Sequence, residues 1–220
     1  MTEPNISARS WTFAMVDLAG YTALTETHGD DQAADLAVTF AELAKSSLGP
    51  TDRLIKPIGD AVLLASPEPR TGLELVDRLL AATSELDCFP LARAGLHHGP
   101  AAERDGDMFG AAVNLAARVA GQASGGQTLV TVPVAKAARQ AGRTVASIGT
   151  LTLRNVAGPQ ELFEVTLGPA RSAGSVDPVC RMWVEHGRAS GFLRYAESDY
   201  WFCSLTCAQQ FASSPDSYTP

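Results

Sequence analysis

Long apolar stretches are missing from this chain: none of its 220 residues falls in a run approaching the roughly 20 apolar residues that span a bilayer. Residues 1–10 also lack the basic stretch and apolar core of a secretory signal. Basic residues are outnumbered, since 17 Lys and Arg face 24 Asp and Glu and give a net charge of -7. An acidic surface disfavours a nucleic-acid groove. We therefore expect a cytoplasmic protein with neither a membrane nor a nucleic-acid partner.

Cysteine is scarce and unevenly distributed. The chain has four cysteines, of which Cys180, Cys203 and Cys207 lie near the C-terminal end and Cys88 lies apart. Without an export signal, this clustering favours reduced thiols or a metal site over a disulfide framework.

The hydrophobic pattern of the first half predicts an α+β, ferredoxin-like (split βαβ) fold. Strand, helix, two strands, helix and strand follow one another, which is the order of that motif. The segments are 11–18, a helix with apolar residues at three- and four-residue steps over 33–44, a hairpin of 53–58 and 61–65, a helix over 72–86, and a strand over 91–97.

Shorter elements follow. Gly99 and Pro100 predict a break, after which the pattern indicates a short strand at 101–104, a helix over 110–120, a strand at 128–132, a helical turn at 133–141, and a closing hairpin of 151–153 and 162–165. A Gly/Pro/Ser-rich stretch then separates a small segment dense in aromatic residues and cysteine. We expect an N-terminal tail at 1–10, a main domain at 11–168, a linker at 169–176 and a small cysteine-containing module at 177–220.

Two carboxylates stand out in the main domain. Asp17 ends an apolar strand, and Asp60 lies at the tip of the predicted hairpin. A split βαβ sheet brings these positions to one sheet end, where two hard oxygen ligands suit Mg²⁺ or Mn²⁺ with substrate phosphates. Taken singly, each residue is also compatible with a turn-capping aspartate.

A second set of polar residues belongs to the predicted helix over 110–120. Asn114 and Arg118 are four residues apart, so their side chains share one helix face. An Arg can stabilise phosphoryl charge and an Asn can hold a sugar oxygen, whereas the alternative is a solvated face.

Four motifs in this order resemble the catalytic domain of class III adenylate and guanylate cyclases over roughly 11–167. They are F-x-x-V-D-L-A-G-Y-T, K-P-I-G-D, R-A-G-L-H-H-G-P and D-M-F-G-A-A-V-N-L-A-A-R. The resemblance implies a signalling enzyme that converts ATP to 3′,5′-cyclic AMP and pyrophosphate. It implies two Mg²⁺ or Mn²⁺ ions at Asp17 and Asp60, with Asn114 orienting the ribose and Arg118 stabilising the transition state.

The same resemblance implies how the base is chosen. Lys56 and Asp107 match the pair that reads the purine edge, with the ammonium donating to N1 of adenine and the carboxylate accepting from the 6-amino group. Guanylate cyclases usually carry Glu at the Lys position, so the pair predicts ATP over GTP. Asp105 is a nearby alternative acid, but Asp107 has the matching spacing from Gly110.

The family's active sites form between two subunits in head-to-tail contact. The resemblance therefore implies a homodimer, with Asp17 and Asp60 from one chain and Lys56, Asp107, Asn114 and Arg118 from the other. The chain departs from the pattern at Pro57, in a short 98–107 segment, and in lacking a clear triphosphate-binding Lys, for which Arg154 is the candidate. Guanylate cyclase and a silent nucleotide-binding or metal-sensing module are the alternatives.

The C-terminal segment resembles the YHS domain in D-P-V-C-R-M and Y-W-F-C-S-L-T-C-A-Q-Q-F. Cys180, Cys203 and Cys207 could bind Zn²⁺ or copper. Either His186 or Asp177 could supply a fourth ligand. The alternative is that the cysteines are small buried residues of a mini-core.

Overall fold

The computed structural model describes residues 9–219, in twelve strands and six α-helices. The main sheet and its helices are β1 (Arg9–Leu18), α1 (Tyr21–His28), α2 (Asp30–Ser46), β2 (Arg53–Ile58), β3 (Ala61–Ser66), α3 (Pro69–Ser84), β4 (Ala92–Arg104), β5 (Asp107–Phe109), α4 (Ala111–Ala120), β6 (Thr128–Thr131), α5 (Val132–Gln140), β7 (Val145–Leu151) and β8 (Gln160–Val165). The remainder is β9 (Gly174–Val176), β10 (Trp183–Glu185), β11 (Gly191–Tyr195), β12 (Ser198–Phe202) and α6 (Leu205–Ser213), with short 3₁₀ turns at His186–Arg188 and Pro215–Ser217.

The main sheet has the order β2-β3-β1-β4-β6-β8-β7, with β5 paired to β4. Strand β3 lies antiparallel between β1 and β2, and β4 pairs antiparallel with the other side of β1. This arrangement is the split βαβ motif, so the predicted α+β class and strand order are confirmed.

Alternating residues of β1 bury two different apolar clusters, because successive side chains of a strand point to opposite faces. Ala14, Val16 and Leu18 join the large core formed with α2, α3 and α5. On the other face, Phe13 packs with Met108 and with the alanines of α4. Each large apolar side chain buried in this way contributes about 1.5–3 kcal/mol.

Helix α4 packs directly on β4 at Gly95. A Cβ atom on Gly95 would lie 2.0 Å from the backbone nitrogen of Ala120 and 2.5 Å from the carbonyl oxygen of Ala116. Only a residue without a side chain allows this approach, which fixes the position of α4 on the sheet face that also carries Phe13.

The predicted break at Gly99 and Pro100 is wrong, because β4 runs without interruption from Ala92 to Arg104. The pairing of β6 with β4 ends at Leu96, and the pairing of β5 with β4 begins at Ala102. One edge of β4 is therefore free at Pro100, so the missing N–H breaks no ladder there.

Other boundaries differ more modestly from the prediction. Helix α1 is a separate element that the apolar pattern did not indicate, because only Leu24 is buried in it. Strand β7 ends at Leu151 rather than including 152 and 153. Arg9 and Ser10 begin β1, the rest of the predicted tail lies outside the described residues, and the last three residues of the predicted linker form β9.

We call residues 174–218 the C-terminal module. Its apolar residues Phe202 and Phe211 share a cluster with Leu24 of α1 and Ala33 of α2. The Trp183 N–H also donates to the Phe89 carbonyl oxygen at 3.1 Å, just before β4. The module therefore packs against the α1 side of the main sheet. Within residues 9–219, no helix combines the length and apolar character needed to cross a bilayer.

His97 and His98 are packing residues of β4. The Nδ1 atom of His97 lies 2.8 Å from the Thr131 hydroxyl, and that of His98 lies 2.9 Å from the Thr12 hydroxyl. Burial, helped by the adjacent His98, lowers the pKa of His97 from 6.5 to about 4.

The folded state therefore opposes protonation of His97 more than the unfolded state does. Stability from this residue is complete above about pH 6.5 and falls as the pH drops towards 4. The loss is limited to about 1.4 kcal/mol per pH unit for one proton. We expect His97→Gln to flatten the pH dependence of the free energy of unfolding, measured by urea titration at several pH values. An unchanged slope would contradict this assignment.

Candidate active site

Asp17 and Asp60 lie together at one end of the main sheet. Asp17 pairs in register with Ala61, the residue after Asp60, and the Leu18 N–H donates to the Asp60 carbonyl oxygen at 3.3 Å. Asp60 follows Gly59, whose φ of +61° makes the tight turn between β2 and β3. Strand pairing and turn geometry thus position both carboxylates.

The two carboxyl groups affect each other electrostatically. Burial, and after it the charge and hydrogen bonding of Asp17, raise the pKa of Asp60 to about 6, against the lowering effect of Arg93. A half-buried carboxylate facing a second one is unfavourable unless positive charge is supplied. This electrostatic environment and the hard oxygen donors fit divalent cations.

Arg93 is a member of this site that the sequence analysis did not single out. It lies opposite Asp17 in the β1–β4 register. Its Nε atom donates to Oδ2 of Asp17 at 2.8 Å, and its Nη2 atom lies 2.5 Å from the same oxygen in an ion pair. The R-A-G-L-H-H motif contained the residue, but only the strand register could have identified its partner.

Helix α1 begins at Tyr21, four residues after Asp17. Gly20 precedes it with φ +80°, and no side chain caps the helix. The first-turn N–H groups of a helix have no partners within the helix and favour anions. Burial and, after it, the nearby Asp60 charge raise the pKa of Tyr21, so this helix start lies close to Asp60.

Lys56 and Asp107 form an ion pair at the edge of the sheet. The Lys56 ammonium donates to Asp107 Oδ2 at 2.5 Å, linking β2 to β5. The hydrogen bond from Lys56 lowers the pKa of Asp107. Asp105 is exposed in the turn that precedes β5, where its φ is +51°. The structure thus brings Lys56 together with Asp107 rather than with Asp105.

Asn114 and Arg118 lie on the exposed face of α4, opposite the alanines that pack on the sheet. Arg118 makes no ion pair within residues 9–219. Asn114 borders a cleft of about 440 Å³ together with His97 and Asn155. No hydrogen bond or ion pair of the described chain connects this face to Asp17 and Asp60.

Arg154 is exposed in the turn between β7 and β8, next to Asn155 of the same cleft. Arg154 belongs to neither strand of the closing hairpin, because β7 ends at Leu151. Its neighbourhood is that of Asn114 rather than that of the two aspartates.

The cysteines of the C-terminal module converge, and their fourth neighbour is unexpected. Ligand atoms of Cys180, Cys203, Cys207 and His28 all lie within 4.8 Å of one another. His28 comes from α1, and no spacing rule linked it to the cysteines. His186 instead stacks on Trp201 with ring centroids 3.7 Å apart.

Asp177, the other sequence candidate for a fourth ligand, is fully buried and accepts backbone hydrogen bonds. Its Oδ1 atom accepts from Val179 and Cys180, and its Oδ2 atom accepts from Cys203. Both oxygens are thus engaged with the loops that carry the cysteines, and Asp177 organises those loops.

No protein-family model matches the chain. The chain is 37% identical over 174 residues to a pH-sensitive adenylate cyclase of Mycobacterium tuberculosis, which covers 77% of this chain and 44% of that protein. It is 36% identical over 121 residues to an adenylate cyclase of Streptomyces griseus, covering 54% of this chain and 30% of that protein. The chain therefore spans less than half the length of these two curated relatives.

Solved structures define the fold. An adenylate cyclase of Trypanosoma brucei, described in its monomeric state, superposes with a TM-score of 0.66 over 78% of this chain and 93% of that chain, at 21% identity. The main sheet and its helices therefore have the fold of a class III nucleotide cyclase catalytic domain.

Proposed function

We propose that the chain is an adenylate cyclase that converts ATP to 3′,5′-cyclic AMP and pyrophosphate in a signalling pathway. The observation that carries this proposal is the juxtaposition of Asp17 and Asp60 at one end of a cyclase-type sheet. The similarity to named adenylate cyclases over most of the main domain supports it.

The residues at this end of the sheet fit two Mg²⁺ or Mn²⁺ ions. Two carboxylates share the site, and the hydrogen bond from Arg93 goes to Oδ2 of Asp17. When bound, the cations would supply the positive charge that acidifies the ribose 3′-hydroxyl and neutralises the phosphates.

The protein side chains would act by positioning and electrostatics. The 3′-hydroxyl releases its proton to solvent as its oxygen attacks the α-phosphorus, the new P–O bond forms as the bond to the β-phosphate oxygen breaks, and pyrophosphate leaves with that electron pair. Asn114 would hold the ribose in line for this attack, and Arg118 would stabilise the charge on the phosphoryl oxygens. No covalent enzyme intermediate is needed.

We propose that a head-to-tail homodimer completes the site. Trp11, Met15 and Asp17 lie on one face of β1, because they are separated by even numbers of residues. Trp11 and Met15 are only partly buried on this face. Two exposed apolar residues flank the Lys56–Asp107 pair: Ile58 is two residues after Lys56, and Phe109 is two residues after Asp107. A second chain covering the part of this face that α4 leaves exposed would bring its Asn114 and Arg118 to the aspartates of the first.

Two groups are candidates for the triphosphate. Arg154 stays the side-chain candidate, at the turn beside the Asn114 cleft. The uncapped start of α1 offers backbone N–H groups beside Asp17 and Asp60.

We also propose that the C-terminal module is YHS-like, which would place a metal-handling module on the C-terminal side of the cyclase domain.

A single assay tests the proposed activity. Purified protein is incubated with ATP or GTP, each with Mg²⁺ and with Mn²⁺, and the cyclic product is quantified. We expect cyclic AMP from ATP in excess over cyclic GMP from GTP. Cyclic GMP in excess would overturn the base assignment, and no cyclic product would overturn the enzyme proposal in favour of a silent nucleotide-binding module.

Base selection can be inverted by a matched double substitution in the same assay. Guanine offers an acceptor at O6 and a donor at N1, the reverse of adenine. In the double variant Lys56→Glu/Asp107→Asn, a carboxylate can accept from N1 and an amide can donate to O6. Each mispaired buried polar group costs about 1–3 kcal/mol, so we expect the ATP/GTP ratio of kcat/KM to fall by about 100-fold or more.

Asp105→Asn is the control for this experiment, since it removes an exposed acid two residues from Asp107. It should leave the ratio unchanged. A double variant that keeps the original ATP preference would show that Lys56 and Asp107 do not contact the base.

A further inference from the structure

We propose that His28, Cys180, Cys203 and Cys207 form a tetrahedral zinc site that staples the C-terminal module to helix α1. Three of these ligands lie in the module, and the fourth is the last residue of a helix that begins four residues after Asp17. The site is separate from the two aspartates of the proposed cyclase reaction.

The interatomic distances match a zinc tetrahedron. Sγ of Cys203 lies 3.4 Å from Sγ of Cys180 and 3.6 Å from Sγ of Cys207. Nε2 of His28 lies 3.7 Å from Sγ of both Cys203 and Cys207. With Zn–S near 2.3 Å and Zn–N near 2.0 Å, a tetrahedron has edges of roughly 3.5–3.8 Å. Four of the six separations are thus close to those that one zinc ion requires, and the other two, from Cys180 to Cys207 and to His28, are within 4.8 Å.

The loops that carry the cysteines are held by hydrogen bonds around them. Buried Asp177 accepts from the backbone N–H groups of Cys180 and Cys203. The Ser204 hydroxyl caps α6 by accepting from the Cys207 N–H at 3.1 Å. Cys207 therefore lies in the first turn of α6, where the helix dipole favours a thiolate. Such supporting contacts orient metal ligands in proteins.

The ligand set favours zinc over copper. Three thiolates and one imidazole make a closed four-ligand shell, which is typical of structural zinc. Neither of the other two candidate ligands, His186 and Asp177, is among the four converging groups, because both are engaged elsewhere. No position of the shell is left for a substrate or water, so the role is structural rather than catalytic.

Bound zinc would act on helix α1, which is the segment that follows Asp17. Leu24 of α1 already shares an apolar cluster with the cysteine-bearing module. Arg181, next to Cys180, packs on Gly20 so closely that a Cβ on Gly20 would lie 2.4 Å from the Arg181 Cβ. The module therefore contacts both ends of α1, at Gly20 and at His28. Zinc would fix these contacts and limit the motion of α1.

Metal analysis of the full chain tests the site directly. Protein produced with added zinc is dialysed against metal-free buffer, and its zinc content is measured by mass spectrometry; we expect about one zinc per chain. His28→Ala should weaken zinc binding on the order of 100-fold in a competition titration with a chromophoric chelator, whereas His28→Cys should restore it. Cys88→Ala is the control thiol, outside the four-ligand group, and should not change zinc binding.

Two further readouts distinguish a four-ligand zinc site from zinc held by the three thiols alone. Cobalt bound in place of zinc should give the visible spectrum of tetrahedral S₃N coordination, and this spectrum should change in His28→Ala. Backbone amides of Tyr21–His28 should exchange faster in His28→Ala than in His28→Cys. Neither readout involves nucleotide, so a failed cyclase assay would leave this result intact.

Three results would overturn the proposal. They are the absence of bound zinc, zinc binding that is unaffected by His28→Ala, and a disulfide among the three cysteines in protein kept under reductant.

Discussion

Asp60→Asn should reduce cyclic AMP formation by about 10³-fold or more. The substitution keeps the shape of the side chain but removes one of the two charges proposed to hold the cations. Loss of a single electrostatic contact in a preorganised site costs about 10²–10³ in kcat, and a group that binds the metal directly should be at the upper end or beyond. Such a factor corresponds to about 4 kcal/mol of transition-state stabilisation.

The fold should tolerate this change. The Asp60 backbone carbonyl that accepts from Leu18 is retained, and the raised pKa of Asp60 shows that its charged form is disfavoured by burial and by Asp17. Asn should therefore leave the free energy of unfolding unchanged or slightly higher. Activity and urea unfolding are measured side by side, with exposed Asp105→Asn as the matched control.

Metal dependence distinguishes loss of cation binding from misfolding. For Asp60→Asn, we expect the Mn²⁺ concentration at half-maximal activity to rise along with the fall in kcat. Activity within about tenfold of the unaltered protein at saturating Mn²⁺ would contradict the proposed role of Asp60.

The positions of Asp17 and Asp60 follow from local rules that a sequence carries. A buried apolar strand, a Gly-Asp turn and the split βαβ order together place the two residues at one sheet end. The Lys56–Asp107 pair was accessible through resemblance, and its 2.5 Å contact adds a geometric reason for treating the two residues as a unit.

Contacts between distant segments could not be predicted from the sequence in this way. Arg93 acquires meaning only from the β1–β4 register, which sets it opposite Asp17. His28 is a single histidine in a helix with one buried residue, and the chain between it and Cys180 carries no pattern that connects them. Its role depends on how the C-terminal module packs on α1, which is a tertiary effect.

The uninterrupted β4 illustrates the same limit. Pro100 is a reliable local signal for the end of a strand, but its cost depends on whether a neighbouring strand needs its N–H. The β6 side of β4 is unpaired at Pro100, so the strand continues despite the local signal.

Arg118→Ala should lower kcat by about 10³-fold while leaving the fold intact. Arg118 is exposed on α4 and makes no ion pair within residues 9–219, so its removal takes no contact from the core. Arginines that stabilise phosphoryl transfer in trans contribute about 10³–10⁵ in rate. We expect KM for ATP to change much less than kcat, because the contact would strengthen as charge develops. Arg104→Ala, exposed at the end of β4, is the matched control and should retain activity.

Mixing two inactive variants then tests whether the site is shared. In a heterodimer of Asp60→Asn with Arg118→Ala, one site receives Asp60 from the Arg118→Ala chain and Arg118 from the Asp60→Asn chain, so it is intact. Random exchange of equal amounts makes half of the dimers mixed, each with one of its two sites intact, and should restore about a quarter of full activity in a two-fold dimer. Each variant alone should stay inactive at any concentration. A mixture as inactive as its components, under conditions where mass measurement shows mixed dimers, would mean that each chain builds its site alone.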